Sequence, residues 1–86
     1  MHVLYSGSVQ GVGFRFTAVN IATILKIKGW VRNLPDSRVE IIAEGEESSL
    51  KNFFLRIDGY FNKYISSRDI EWLDAAGNLG DFEVKL

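Results

Sequence analysis

The sequence has no cysteine, one histidine and one proline among its 86 residues. Without cysteine the chain can form no disulfide, no thiolate zinc site and no cysteine nucleophile. The histidine, His2, stands at the second position, where chains often fray, and we expect it to be exposed and inert. An enzyme with this composition is expected to work without cysteine, without histidine and without a transition metal.

The charge and hydropathy of the sequence exclude two further classes of partner. Ten Lys and Arg residues against eleven Asp and Glu give a net charge of -1. General binding of nucleic acid requires surplus positive charge, so no nucleic-acid partner is expected. No apolar run approaches the roughly 18–20 residues of a membrane span, and the N-terminal residues are typical of a strand, not of a basic and apolar leader. We therefore expect a cytoplasmic protein without a membrane partner, most simply a monomer.

The length of the chain predicts a single domain over residues 1–86, because a second hydrophobic core would not fit. Apolar residues alternate in strands near residues 3–9, 30–31, 39–43, 70–72 and 82–86. Two helical stripes lie between them: Phe14, Ala18, Ile21, Ala22 and Leu25, then Leu50, Phe53, Phe54, Ile57 and Phe61. This order predicts an α+β fold, a ferredoxin-like split βαβ sandwich with a short C-terminal strand. Two helices would cover one face of an antiparallel sheet.

Several individual residues have a predicted place in this fold. Gly29 and Gly59 are expected to end the two helices. Trp30 and Trp72 are expected in the core. The aromatic residues of the tract 60–64 are expected to pack under the neighbouring loop, because a small domain has no core to spare.

The stretch of residues 7–15, which joins the first strand to the first helix, carries the strongest functional signal. Glycines at positions 11 and 13 let backbone N–H groups approach a ligand. The first turn of the helix leaves further N–H groups unpaired, and its dipole favours an anion. Arg15 adds a planar guanidinium that can hold a phosphate through two charge-assisted hydrogen bonds. The stretch is typical of a site for one phosphate or carboxylate.

Spacing alone leaves other interpretations of these residues open. Any strand-to-helix connection uses glycines, and arginine is common in a first helical turn. The stretch lacks the lysine of a Walker loop and the G-x-G-x-x-G spacing of a dinucleotide site. An asparagine near a proline, as Asn33 is near Pro35, is most often a turn former.

Two motifs together resemble the acylphosphatase family. Residues 7–15, GSVQGVGFR, are similar to the signature loop of the family, and residues 29–36, GWVRNLPD, are similar to its second signature. The strand and helix start at residues 38–47 and the last strand at residues 82–84 also fit, so the resemblance covers essentially the whole chain. Two separate motifs at the right distance are far more specific than either alone.

The resemblance implies a hydrolase that cleaves the mixed anhydride of a carboxylic acid and phosphate to a carboxylate and inorganic phosphate. Arg15 would hold the phosphate of this small-molecule substrate, and Asn33 would position the attacking water. The implied phosphate-binding set, which acts largely through backbone N–H groups, comprises Gln10, Gly11, Val12, Gly13, Phe14 and Arg15. The family needs no cofactor, no metal and no covalent intermediate, and inorganic phosphate is expected as product and inhibitor.

The sequence departs from the family pattern in places that do not touch Arg15 or Asn33. Ser37 stands where the family commonly has glycine, and a positive φ there would cost on the order of 1 kcal/mol. Arg68 stands where an apolar residue usually enters the fourth strand.

Three alternatives to an enzyme remain. The first is a noncatalytic anion-binding domain related to a larger carbamoyl-transfer protein, which usually brings cysteine clusters that this chain lacks. The second is an RNA-binding sheet, which needs aromatics flanked by basic residues on its central strands, and residues 39–44 offer neither. The third is a structural or regulatory module with generic features, against which only the two signatures argue.

Overall fold

The computed structural model describes residues 1–74 and 77–86 of the chain. Its elements occur in the order β1 (His2–Gly7), α1 (Phe14–Ile24), β2 (Lys28–Asn33), β3 (Val39–Glu44), α2 (Glu47–Phe61), β4 (Ile65–Glu71) and β5 (Glu83–Val84). This order confirms the predicted split βαβ sandwich with a short last strand.

The five strands form one sheet in the order β4-β1-β3-β2-β5. The pairs β1–β3, β1–β4 and β2–β3 are antiparallel. The last strand instead runs parallel to β2, with Trp30 opposite Glu83 and Val31 opposite Val84. The sheet is therefore mixed, and the prediction of an antiparallel sheet is wrong for β5. Its direction could not be predicted because a two-residue strand carries no periodicity.

Both helices pack on one face of this sheet, and the other face is called the open face below. The buried residues of α1 and α2 are the predicted ones except for Leu25, which is half-buried just beyond α1. Three aromatic rings connect the layers, because the Phe14 ring centroid lies 5.1 Å from that of Tyr5 and 4.7 Å from that of Phe61. Burying a side chain of this size stabilises the fold by about 1.5–3 kcal/mol. The start of α1, next to Arg15, is thus fixed by the core.

The two glycines that were expected to end helices have other positions. α1 ends earlier, and the left-handed residue after it is Lys26, with φ 58°. Gly29 lies inside β2 with φ 138°, where an added Cβ would be 1.9 Å from the carbonyl oxygen of Ile42. Gly59 lies within α2. The close approach of β2 to β3, not a helix end, requires the first of these glycines.

The expectation that both tryptophans are core residues is wrong. Trp72 follows the edge strand β4 and is 56% exposed, since nearly every β4 residue is exposed as well. Trp30 is half-buried on the open face, where the guanidinium carbon of Arg32 and the ammonium of Lys85 lie 5.2 and 4.5 Å from its ring centroid. A sheet covered by helices on one face offers core positions only on that face.

The aromatic tract at the end of α2 follows the prediction in part. Phe61 is buried, but Tyr60 and Tyr64 are exposed. Successive residues of a helix point about 100° apart, so Phe61 continues the apolar stripe of α2 while Tyr60 turns away from it.

His2 is not exposed as expected but half-buried on the open face. Its Nε2 lies 2.8 Å from Oε2 of Glu40, and Nε of Arg32 donates to Oε1 of the same carboxylate at 2.6 Å. Burial alone would raise the pKa of Glu40, but the hydrogen bonds from His2 and Arg32 outweigh it and the pKa lies below its ordinary value. Arg32 therefore forms an ion pair with Glu40 on the open face.

The unexpected charge of Arg68 also has a partner. Arg68 belongs to β4, and its Nη2 lies 3.2 Å from Oδ1 of Asp58 on α2. Burial raises the pKa of Asp58, and the charge of Arg68 opposes that rise. An arginine can occupy this position because the helix above it supplies a carboxylate.

Ser37 has a φ of 78° in the turn between β2 and β3, the conformation in which a side chain was expected to be costly. A non-glycine residue in this region costs about 1–2 kcal/mol. We expect Ser37→Gly to raise the free energy of unfolding by about 1 kcal/mol in urea denaturation. The matched change Ser67→Gly, in the middle of β4, should lower it by about 0.5–1 kcal/mol. A loss of stability in Ser37→Gly would contradict the strain assigned to this turn.

Candidate active site

The loop between β1 and α1 has the backbone conformation of an anion-binding concavity. Gly11 and Gly13 have φ of 78° and 82°, and Val12 between them is not among the residues with positive φ. An added Cβ at either glycine would meet nothing within 4 Å, so the dihedral angle, not lack of space, requires glycine. Alternation of left-handed and ordinary residues turns successive N–H groups toward a common point. The loop can therefore present several donors to one anion.

The first turn of α1 leaves these donors free. Gly13 is the N-cap and supplies no side-chain hydrogen bond, and the first turn contains no acidic residue. Among the backbone hydrogen bonds outside helices and strands in residues 1–74 and 77–86, none is donated by residues 10–16. The first hydrogen bond of the helix runs from Thr17 N–H to the Gly13 carbonyl at 3.0 Å. Free N–H groups and the positive end of the helix dipole favour an anion at this point.

Gln10 fastens this loop to the turn that follows β2. Its Nε2 donates to the carbonyl oxygens of Leu34 and Arg38 at 2.8 and 3.0 Å. The bond to Leu34 joins the first sequence motif to the second, and the bond to Arg38 reaches the residue before β3. The side chain of Gln10 thus has a positioning role that the sequence pattern did not indicate, and of its N–H donors only the backbone one is available to a ligand.

Arg15 lies half-buried in the first turn of α1, and its charge is unmatched. Arg32, Arg38 and Arg68 each form an ion pair, and Arg56 donates to Oδ1 of Asn52. In the part of the chain that the structure describes, Arg15 has neither an ion pair nor a side-chain hydrogen bond. Its guanidinium can therefore bind an external anion without first breaking an internal contact.

Asn33 ends β2 and lies opposite Val39 in the sheet. It has the same strand parity as the buried Val31, so its side chain lies on the face that the helices cover. Its Oδ1 is buried and has no hydrogen-bond partner among the described residues. A buried acceptor without a donor lowers the stability of the fold by about 1–3 kcal/mol. Forming a turn does not account for such a cost, so we expect the Asn33 side chain to have a further role.

Arg15 and Asn33 line the same cavity of about 320 Å³, although they come from different motifs. The full lining comprises Val9, Gly11, Gly13, Phe14, Arg15, Phe16, Asn33 and Val84. Four of the six predicted phosphate-binding residues are among these, whereas Gln10 and Val12 do not line the cavity. Val9, Phe16 and Val84 were not predicted, and no sequence signal could have placed Val84 here because it arrives through the parallel pairing of β5 with β2.

The donors in this cavity determine what it can hold. Guanidinium, amide and backbone N–H groups bind anions, and the lining includes no carboxylate. Among residues 1–74 and 77–86, no group of three or more His, Cys, Asp or Glu residues could hold a metal ion. A larger cavity of about 520 Å³, bounded by Met1, Leu50 and Trp72, contains neither Arg15 nor the glycine loop.

The family model described as Acylphosphatase matches residues 1–84 of the chain. The chain belongs to the acylphosphatase family. It is 40% identical to a curated acylphosphatase from Anaeromyxobacter dehalogenans (strain 2CP-C), with 98% of this chain and 91% of that relative covered. The sequence resemblance is therefore confirmed.

Solved structures agree with this membership of the acylphosphatase family. The crystal structure of acylphosphatase from Bacillus subtilis superposes with a TM-score of 0.89 at 29% identity, covering 99% of this chain and 96% of that one. The crystal structure of T. kodakarensis HypF superposes with a TM-score of 0.80 at 31% identity, covering 99% of this chain but 11% of HypF. The family and the acylphosphatases in it support hydrolysis of acyl phosphates as the activity of this chain. No helix in its described part is long and apolar enough to cross a membrane.

Proposed function

We propose that this acylphosphatase hydrolyses its substrate by direct attack of a water molecule on phosphorus, without a metal, a cofactor or a covalent intermediate. One observation carries the proposal: the guanidinium of Arg15 and the amide oxygen of Asn33, both without a partner among the described residues, line one cavity beside the glycine loop and its N–H groups. Phosphoryl transfer depends mostly on positioning and on neutralising charge. Such groups are sufficient for a substrate that already has a good leaving group.

In this proposal the phosphate is held by Arg15 and by backbone N–H groups between Gln10 and Phe14. The guanidinium matches two phosphate oxygens with parallel hydrogen bonds, and the N–H groups match the remaining charge. Because these donors are fixed before substrate arrives, little reorganisation accompanies the reaction. Inorganic phosphate offers the same oxygens, so it is product and inhibitor at once.

Asn33 positions the water. Its Oδ1 accepts a hydrogen bond from the water and directs a lone pair of the water oxygen toward phosphorus. As the new P–O bond forms, the P–O bond to the acyl group breaks and its electron pair leaves with the carboxylate. The proton of the water ends on the phosphate product. A carboxylate leaves readily, so no strong acid is required on the leaving group.

The remaining parts of the proposal concern the state of the protein. We place one domain over residues 1–86 and expect a monomer in the cytoplasm.

A noncatalytic anion-binding domain is the second candidate function. The match to HypF covers a small part of that longer protein, whereas this chain spans nearly all of its acylphosphatase relative. A binding domain would share the loop and Arg15 but would have no use for an unpartnered Asn33. The unpartnered Oδ1 of Asn33 therefore favours hydrolysis over binding alone.

The test is release of inorganic phosphate from acetyl phosphate by the purified protein in excess chelator. We expect hydrolysis well above the spontaneous rate, with circular dichroism confirming the folded state. A requirement for added metal would overturn the mechanism. Folded protein that binds phosphate but does not hydrolyse acetyl phosphate would establish the noncatalytic alternative.

A further inference from the structure

The cavity that contains Arg15 and Asn33 also has an exposed apolar wall. Phe16 follows Arg15 in the first turn of α1 and is 72% exposed, and Val84 of β5 is 39% exposed. The other apolar lining residues, Val9 and Phe14, are buried in the core. Phe16 and Val84, called the apolar wall below, therefore present most of the accessible apolar side-chain surface of the cavity.

The charge of the cavity separates the two ends of a substrate. Among the described residues that line the cavity, Arg15 is the only one with a cationic side chain, and under the proposed function this side chain binds the phosphate. The neighbouring Lys85 is directed elsewhere, because its ammonium lies over the Trp30 ring on the open face. A second negative charge on the acyl group would therefore meet no cation in this cavity. A neutral apolar acyl group would lose little by leaving water there.

We propose that the apolar wall binds the acyl group and that the enzyme favours acyl phosphates with a neutral apolar acyl group, aromatic ones above all. This inference rests on the proposed function, since it takes the phosphate to be held by Arg15. Phe16 is adjacent to Arg15 in sequence and lines the same cavity, so a group attached to the bound phosphate comes within its reach. An aromatic ring packed on Phe16 gains an edge or offset contact in addition to the area that both rings bury.

The experiment compares benzoyl phosphate with acetyl phosphate, using the ratio of their kcat/KM values as the readout. The ratio divides out any change in phosphate binding that is common to both substrates. We expect Phe16→Ala to lower the ratio by about fivefold, in the range of one aromatic contact, and Phe16→Leu to lower it less. Val84→Thr, which keeps the shape but adds a hydroxyl, should lower it by about twofold.

Leu55→Ala is the matched control, because Leu55 has the same 72% exposure but lies on α2 and lines no part of this cavity. Its ratio should equal that of the unmodified protein. An unchanged ratio in both Phe16→Ala and Val84→Thr would overturn the acyl-binding wall while leaving the proposed function intact. Failure of the unmodified protein to hydrolyse either substrate would instead overturn the proposed function.

Discussion

Arg15→Ala is expected to lower kcat/KM for acetyl phosphate by on the order of 10³-fold and to abolish inhibition by inorganic phosphate. An arginine that stabilises the charge of a transferring phosphoryl group contributes rate factors of about this size. The structure gives a specific reason to expect the full effect here. Every other arginine has an internal partner, so none is free to move into the cavity in its place.

Two companion variants separate the shape of Arg15 from its charge. Arg15→Lys keeps a positive charge but loses the planar guanidinium. We therefore expect its kcat/KM to lie between that of the unmodified protein and that of Arg15→Ala. Arg56→Ala is the matched control, since Arg56 is an exposed helical arginine whose hydrogen-bond partner among the described residues is Asn52. It should leave kcat/KM unchanged. Phosphate inhibition that persists in Arg15→Ala would remove Arg15 from the binding site.

The parts of the site that the sequence predicted well are local in the chain. The glycines at positions 11 and 13 and Arg15 lie within one connection, and their chemistry follows from the requirement for positive φ and from the helix start. Asn33 was different. By itself it indicated a turn, and only the resemblance to a family pointed to a catalytic role. Its unpartnered oxygen, visible only in the folded structure, gives that role a physical basis.

The parts that were missed depend on contacts between distant segments. The side chain of Gln10 bonds to carbonyls of the β2–β3 turn, and Val84 reaches the cavity through a two-residue strand. Neither contact is reflected in the hydrophobic periodicity of the sequence. The errors at Trp72 and His2 have a related cause. Hydrophobicity and position in the chain do not reveal that an edge strand is uncovered or that a carboxylate stands on the neighbouring strand.

Asn33→Ala is expected to lower kcat for acetyl phosphate by on the order of 10²-fold while inhibition by inorganic phosphate stays within about twofold of the unmodified protein. Loss of one preorganised hydrogen-bonding group at a reacting centre has an effect of this size. The phosphate affinity should survive because Arg15 and the loop donors remain. Asn20→Ala, on the exposed side of α1, is the matched control and should change neither quantity.

Asn33→Asp sharpens the assignment, because a carboxylate in the cavity would repel the phosphate and should weaken inhibition as well as turnover. Equal loss of turnover and phosphate affinity in Asn33→Ala would contradict the role of Asn33 in placing water.

The stability of Asn33→Ala provides an independent measurement. Alanine removes the unpartnered Oδ1, so urea denaturation should show Asn33→Ala to be as stable as the unmodified protein or about 1 kcal/mol more stable. A substitution that lowers turnover to this extent without loss of stability would indicate that this oxygen is kept unpartnered for catalysis.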